Sequence, residues 1–321
     1  MSKSTKIWLV IAASLMLAGC ILFGGAMMSL KWDFTKLSTN TYETNRYEIS
    51  EHYKNISIVT ETADVVFVPS EDLKSSVVCY ERASEKLSVT VKDGTLIIEM
   101  NSTKKWYEYI GINFGSPKIT VSIPQGEYGM FSVTADTGNV QLPKDFKFES
   151  IDASTSTGNV KVFSPASELI KIKTSTGSIV VENISTGSLD LSVSTGKVTV
   201  SDVNCEGEVS LSVSTGDARL TNVSCKSLSS TGDTGDITLK NVIATEKLSI
   251  ERSTGHVKFE GCDATELFIE TDTGDVFGTL LSEKVFVTKT DIGRINVPDS
   301  ITGGRCEITT DTGDIRITIQ Q

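Results

Sequence analysis

Residues 233–239 read Asp-Thr-Gly-Asp-Ile-Thr-Leu, and versions of this stretch recur from about residue 126 to the end of the chain. Gly235 belongs to a series of glycines that are always 19 or 20 residues apart. Threonine precedes each of them except one, where Ile292 stands, and Asp or Ser comes one residue earlier. Self-similarity at a fixed interval is the signature of a stacked repeat protein. The series comprises Gly138, Gly158, Gly177, Gly196, Gly216, Gly235, Gly255, Gly274, Gly293 and Gly313.

The residues around each glycine alternate between apolar and polar. Apolar side chains stand two and four positions after the glycine, as Ile237 and Leu239 do, with a polar residue between them. A second apolar pair stands seven and five positions before the glycine, as Leu248 and Ile250 do. Alternation with a period of two indicates β-strands. Each repeat therefore contains at least two strands joined by the Thr-Gly turn.

A repeat of 19 or 20 residues is too short to bury its own apolar side chains, so the repeats must stack. Glycine suits the turn because it adopts positive φ without a steric penalty. The predicted fold class is all-β: a single-stranded β-solenoid of about ten coils over residues 126–321, with the glycine corners in one file. A helical repeat is excluded because the apolar spacing has no period of 3.6.

The region before the repeats also reads as β-rich. Residues 61–65 resemble a divergent repeat turn with Ala63 in the glycine position. Residues 87–91 and 95–99 alternate on either side of Lys-Asp-Gly, which predicts a hairpin. We therefore expect a β-rich N-terminal cap over residues 51–125, preceded by a polar spacer over residues 31–50.

The N-terminus carries a long apolar run. Residues 9–30 contain no charged residue and no proline, and Trp8 and Trp32 bracket them. A helix of this length spans about 33 Å, enough for the roughly 30 Å hydrocarbon layer. Lys3 and Lys6 favour a cytoplasmic N-terminus. The sequence predicts a cytoplasmic segment over residues 1–6, a single transmembrane anchor over residues 7–30, and an extracytoplasmic body at the cell membrane.

Two other interpretations of the N-terminus stay open. Residues 17–20, Leu-Ala-Gly-Cys, look like a bacterial lipobox in which Cys20 becomes lipidated after cleavage. The same run can also be a cleaved secretory signal. All three interpretations place the body outside the cytoplasm.

Composition narrows the possible functions. The net charge of -11 disfavours nucleic acid and anionic lipid as partners. The only histidines, His52 and His256, are far apart in sequence, which leaves little material for a metal site or a catalytic relay. We expect no cofactor, no metal and no enzymatic activity. A polysaccharide-active β-helix enzyme is the alternative, but the uniform coil length leaves no long loops to wall a cleft.

Acidic residues near the turns pose a separate question, because stacked carboxylates repel each other unless a cation or donor offsets them. We interpret the row as a solvated ladder of turns, with bound calcium as the alternative. The row comprises Asp233, Asp236, Asp272, Asp275, Asp291, Asp311 and Asp314.

Aromatic residues cluster at one place in a chain otherwise poor in them. Trp106, Tyr107, Tyr109 and Phe114 are the candidate surface for a ligand or partner. The alternative is that they close the end of the solenoid core.

Two cysteines stand at equivalent positions of adjacent repeats. Cys205 and Cys225 each follow a repeat glycine by nine residues, which predicts stacked side chains about 5 Å apart and a possible disulfide. Cys262 and Cys306 take apolar positions of the repeat and are expected in the core.

The Thr-Gly-Asp/Asn-Val/Ile repeats, together with Trp32-Asp33-Phe34 after the apolar run, resemble the bacterial "putative adhesin" β-strand-repeat family, DUF4097-like, in a membrane-anchored form. The resemblance implies a surface-exposed β-solenoid linked to adhesion or to cell-envelope stress, and it brings no catalytic residues. We expect a non-enzymatic, adhesin-like binding or scaffolding module, with envelope-stress sensing or signalling as the alternative.

The expected partners are the membrane, through the N-terminal helix, and an envelope glycan or protein. Self-association is also expected at the C-terminal coil, where Ile315, Ile317 and Ile319 end the chain without an evident cap.

Overall fold

The computed structural model describes residues 2–34, 41–100 and 115–320. Within them lie one helix, α1, and 23 strands that form one continuous hydrogen-bonded sheet. The sheet is wound into a β-solenoid, so the predicted fold class is confirmed. Helix α1 covers Lys3–Ser29, close to the predicted anchor, and is apolar and long enough to cross a membrane.

The strands divide into an N-terminal group and the repeats. The first group comprises β1 Tyr42–Ile49, β2 Asn55–Thr62, β3 Asp64–Pro69, β4 Ser75–Arg82, β5 Leu87–Lys92, β6 Thr95–Met100 and β7 Lys118–Ile123. The first repeats comprise β8 Gly126–Thr137, β9 Val140–Leu142, β10 Phe146–Thr157, β11 Val160–Val162, β12 Ala166–Thr176, β13 Ile179–Thr195, β14 Val198–Cys205 and β15 Glu208–Thr215. The last comprise β16 Ala218–Thr234, β17 Ile237–Thr254, β18 Val257–Thr273, β19 Val276–Leu280, β20 Lys284–Ile292, β21 Ile295–Asn296, β22 Gly304–Thr312 and β23 Ile315–Ile319.

The repeat glycines form one corner of every coil and lie in a single file, as predicted. Gly196 has φ of 150°, and a Cβ atom placed on it would lie 1.7 Å from the carbonyl oxygen of Gly177 in the next coil. No side chain fits between coils stacked this closely. The contacts run in the spatial order Ala63, Gly138, Gly158, Gly177, Gly196, Gly216, Gly235, Gly255, Gly274, Gly313 and Gly293.

Each coil in the middle of the solenoid has a second corner, which was not predicted from the sequence. It lies six residues after the glycine, where Asn183 of β13 has φ of 55°. The burial of the strand changes phase here: Ile179 and Val181 face inward before the corner, and Ile184 after it. Asparagine and aspartate tolerate the left-handed conformation better than most residues. The equivalent positions are Asp202, Asn222, Asn241 and Gly261.

The core is a continuous column of inward side chains. Parallel pairing in register places Val198, Ala218, Ile237 and Val257 one above the other, and each is at most 1% exposed. Every coil therefore shields the apolar faces of its neighbours, which a single coil could not do alone.

The N-terminal end combines an early coil with antiparallel strands. Strands β2 and β3 form a coil whose corner is Ala63, as predicted, and this coil lies between β6–β7 and β8–β9. The predicted hairpin is the antiparallel pair β5–β6. Strand β4 pairs antiparallel with β7, and β1 pairs antiparallel with β4.

One boundary in this region was wrong. The polar spacer expected over residues 31–50 includes β1, whose eight residues all pair with β4. The side chains of β1 are all half-buried or exposed, so the segment lacks the buried apolar alternation that marks the other strands. It is ordered instead by backbone pairing to an edge strand.

The C-terminal end differs from a simple stack. Strands β22 and β23 lie between β18–β19 on one side and β20–β21 on the other. The last coil of the sequence is therefore internal, and Ile315 and Ile317 are buried. The expectation that the C-terminal coil is the open end was wrong, because the coil that carries Gly293 is outermost.

Candidate functional site

An open groove of about 1280 Å³ lies on the side of the solenoid. It lies between the N-terminal ends of strands β8 and β10 and the parts of β13, β14 and β16 that follow the second corner of each coil. We call it the lateral groove. No local sequence pattern indicates this groove, because it forms where early coils that contain prolines meet later coils that carry the left-handed corner.

One side of the lateral groove presents polar side chains at regular intervals. Ser185, Asn204 and Ser224 are exposed, and the strand register places them directly beside one another on three adjacent strands. Neighbouring strands are about 4.8 Å apart. The corner residues form a second row beside them, in which Asn222 Nδ2 donates to Asp202 Oδ1 at 2.8 Å.

The other side of the groove carries aromatic rings. Tyr128 and Phe148 are 5.9 Å apart between ring centroids. The Tyr128 hydroxyl donates to the carbonyl oxygen of Pro124 at 2.7 Å, and burial raises the pKa of this phenol above its ordinary value. The phenol is therefore neutral and tied to the backbone, and the ring contributes an apolar surface.

Charged residues at the rim are mainly acidic. Lys54 forms an ion pair with Glu149, and Lys147 forms one with Glu127 at 3.4 Å. Asp202 and Glu206 also line the groove. Both rim lysines thus have carboxylate partners, and carboxylates outnumber them. The arrangement can donate and accept hydrogen bonds along an extended ligand and repels anions.

The row of residues directly after the corner glycines is a hydrogen-bonded ladder. Asn159 N–H donates to Asn139 Oδ1 at 3.0 Å, His256 N–H donates to Asp236 Oδ1 at 2.8 Å, and Asp275 N–H donates to His256 Nδ1 at 2.9 Å. In most rungs a side-chain acceptor therefore holds the backbone of the next coil. Where that acceptor is a carboxylate, as in Asp236, the backbone donor offsets repulsion between rungs.

The calcium alternative finds no site in the part of the chain that the structure describes. Residues 2–34, 41–100 and 115–320 contain no group of three His, Cys, Asp or Glu side chains placed to hold a metal ion.

The possible disulfide between Cys205 and Cys225 is absent, because both are free thiols. Parallel strands in register place the two Cβ vectors side by side instead of facing each other. Cys205 Sγ lies 3.5 Å from the carbonyl oxygen of Glu208, and Cys225 Sγ lies 3.9 Å from that of Ile243. Burial raises the pKa of Cys225 to about 12. Cys262 and Cys306 are buried, as expected.

A buried cation lies in the core, unforeseen from the sequence. Arg252 is 3% exposed, and its guanidinium takes the space left by Gly232, whose Cβ would lie 1.7 Å from Nη1. Its Nη2 donates to the Ser230 hydroxyl at 2.8 Å, and its Nη1 lies 3.4 Å from the carbonyl oxygens of Val213 and Thr231. Desolvation lowers the pKa of Arg252. The irregular Ser-Ser-Thr-Gly-Asp-Thr-Gly run at 229–235 was the available signal.

The aromatic candidates Trp106, Tyr107, Tyr109 and Phe114 lie outside the described residues. Their role as a ligand or partner surface stays a prediction. Among the described residues, the candidate sites are therefore the lateral groove, the row directly after the corner glycines and the row at the second corners.

The fold and the N-terminal helix define a class: a parallel β-solenoid with one apolar helix that fits a membrane anchor or a signal peptide. The chain belongs to the Toastrack DUF4097 family, whose model matches residues 53–228 and 203–321. No curated protein matches the chain.

Solved structures of similar chains come from Bacteroides and Parabacteroides species. A "putative adhesin" from Bacteroides fragilis is 16% identical, with 87% of this chain and 97% of that chain covered and a TM-score of 0.40. A "putative adhesin" from Parabacteroides distasonis is 12% identical, with 87% and 98% covered and a TM-score of 0.48. A "putative lipid binding protein" from the same species is 20% identical, with 75% and 95% covered and a TM-score of 0.45.

Proposed function

We propose that this chain is a membrane-tethered, non-enzymatic binding module that works outside the cytoplasm and holds an extended polymer in the lateral groove. The observation that carries the proposal is the in-register row of Ser185, Asn204 and Ser224 opposite the Tyr128 ring. A ligand with repeating units can meet an equivalent polar side chain at every coil. Helix α1 supports the tether, because its apolar side chains are mostly exposed.

Charge at the groove favours an uncharged polysaccharide over an anionic polymer. The ammonium groups of Lys54 and Lys147 are already paired with carboxylates, and Asp202 and Glu206 add further negative charge. A phosphate-rich or sulfated polymer would be repelled by this rim and by the net charge of -11. Hydroxyl-rich sugars suit the amide and hydroxyl row, and aromatic rings such as Tyr128 pack against the apolar faces of sugars.

The test measures binding of the full chain in detergent to uncharged glucan and N-acetylglucosamine oligosaccharides by calorimetry. Replacing the groove pair Ser185→Ala and Asn204→Ala should weaken binding at least about tenfold, the equivalent of about 1.4 kcal/mol. The matched control is Ser192→Ala with Ser212→Ala, because these serines pair on another side of the same two coils.

Two results would overturn the proposal. One is equal binding by the groove variant and the control variant. The other is tighter binding of dextran sulfate than of every uncharged oligosaccharide, which would contradict the charge argument.

A further inference from the structure

The outermost coil at the C-terminal end has an open edge. Strand β20 pairs with β22 on one side. Among residues 2–34, 41–100 and 115–320, no backbone hydrogen bond reaches the other side of β20. Unpaired N–H and C=O groups along an edge strand are a template for another strand.

The side chains of this coil are unusually apolar for a solvated edge. Val285, Val287, Ile292 and Ile295 are 38%, 48%, 69% and 45% exposed. Ile292 also stands where the other repeat corners carry threonine. Edge strands that stay monomeric usually carry proline, a bulge or several charges. Strand β20 contains no proline, its pairing with β22 is regular, and each of its three charged side chains lies in an ion pair within the same molecule.

The opposite end of the solenoid differs. Strands β4 and β1 run antiparallel to the coils there, and β1 carries Glu43, Arg46 and Glu48. Within the described ranges, the antiparallel strands β4 and β5 cover the outer edges of β7 and β6, so no open coil edge is present there. The open edge can find its match in the same edge of another molecule, which is the symmetric solution that twofold dimers use.

The sequence of the edge is self-complementary in that arrangement. If two copies pair antiparallel about Phe286, Val285 of one copy lies opposite Val287 of the other, twice. In the same register Glu283 lies opposite Lys289 of the second copy, also twice. Hydrogen bonds from the hydroxyls of Thr302 and Ser300 lower the pKa of Glu283, so its carboxylate is charged. Opposite charges and β-branched pairs directly across an antiparallel ladder are stabilising.

We propose that the edge of β20 is a homodimer interface, in which a second copy of this chain adds its own β20 antiparallel across a twofold axis at Phe286. The inference goes beyond the binding role of the lateral groove, because it does not involve that surface. The two solenoids would meet end to end, with their β1 strands at opposite ends of the pair. Each dimer would then present two grooves.

Cysteine crosslinking tests the register in the full chain in detergent, on a Cys20→Ser background. A mixture of the Val285→Cys and Val287→Cys variants should form a disulfide-linked dimer on mild oxidation. Opposed Cα atoms in an antiparallel pair are about 4.5–5.5 Å apart, within disulfide range. The matched control mixes Val285→Cys with Val59→Cys, because Val59 is 51% exposed on a strand paired on both sides.

Light scattering supplies an independent measurement. The unmodified chain should have twice the protein mass of a variant with Val285→Lys and Val287→Lys, whereas Val59→Lys should leave the mass unchanged. A monomeric unmodified chain at all accessible concentrations, or a dimer that persists in the double-lysine variant, would refute the interface. A dimer that is lost in the double-lysine variant but does not form the expected crosslink would refute the register about Phe286.

Discussion

Gly196 illustrates what a single residue does at a corner. It combines φ of 150° with a carbonyl oxygen of Gly177 that lies 1.7 Å from where a Cβ would be. Gly196→Ala therefore forces two coils apart and strains the backbone. We expect the free energy of unfolding to fall by more than about 2 kcal/mol, measured by thermal and urea denaturation.

Gly126→Ala is the control for this substitution. A Cβ added to Gly126 would meet no atom within 4 Å, and the residue begins a strand away from the corners. The stability of this variant should be within about 0.5 kcal/mol of the parent. Equal stability of the two variants would contradict the close packing of the glycine file.

The cysteines make a pH-dependent prediction at the same scale. Burial raises the pKa of Cys79, Cys225 and Cys306 to about 12, and alkylation requires the thiolate. At about pH 8, near the ordinary thiol pKa of about 8.5, a Cys20→Ser variant should therefore show no thiol that reacts readily with iodoacetamide in the folded chain. The thiolate fraction of a thiol with a raised pKa grows only as the pH approaches that value. Mass spectrometry before and after denaturation measures the reactive thiols.

Rapid reaction of Cys205 or Cys225 with iodoacetamide in the folded chain would show that the coils open readily after their second corner. Labelling after denaturation separates burial from disulfide formation, because a buried thiol then becomes labelled whereas a disulfide stays unlabelled.

At the scale of an element, each rung of the ladder beside the glycine file joins two successive coils through a single side chain. His256 takes the place of the asparagine of other rungs, because Nδ1 accepts the Asp275 N–H at 2.9 Å. His256→Asn should preserve this acceptor, whereas His256→Leu should lower the free energy of unfolding by about 1 kcal/mol. The sharper measurement is hydrogen exchange, in which the Asp275 amide should lose protection in the leucine variant alone. Equal protection in both variants would exclude the bond.

Which elements could be predicted follows from how local their signals are. The strands beside each glycine and the Ala63 corner were readable because the turn and its flanking alternation lie within a few residues. The corner at Asn183 had a signal too, since Asp202, Asn222 and Asn241 recur at the repeat interval. It was missed because exposed asparagines in a strand-like pattern look like ordinary outward side chains.

The lateral groove was not predictable for a different reason. It depends on Tyr128 and Asn204 approaching across several coils, which no local pattern encodes. Strand β1 escaped detection because its order comes from pairing with β4 and not from burial.

At the scale of the whole molecule, the order of the coils in space differs from their order in the chain at both ends. The coil of β2–β3 lies inside that of β6–β7, and the coil of β22–β23 lies inside that of β20–β21. The coils of β20–β21 and β22–β23 share the glycine turn and the alternation, so the local sequence there is compatible with either order. Nonlocal pairing decides between them. At each end the outermost coil comes from the interior of the sequence and is covalently continuous on both sides, which restrains it against fraying.

The coil order at the C-terminal end can be tested with a matched pair of substitutions. Ile295 and Ile315 each stand two residues after a corner glycine, but Ile295 is 45% exposed and Ile315 is fully buried. Ile315→Asp places a carboxylate in the core between two coils and should lower the free energy of unfolding by more than about 3 kcal/mol. Ile295→Asp should lower the free energy of unfolding by less than about 1 kcal/mol, because the Ile295 side chain is already in contact with water. Stacking in sequence order would reverse the two effects, since Ile295 would then be internal and Ile315 terminal. Thermal denaturation of the two variants therefore separates the interleaved arrangement from a simple stack.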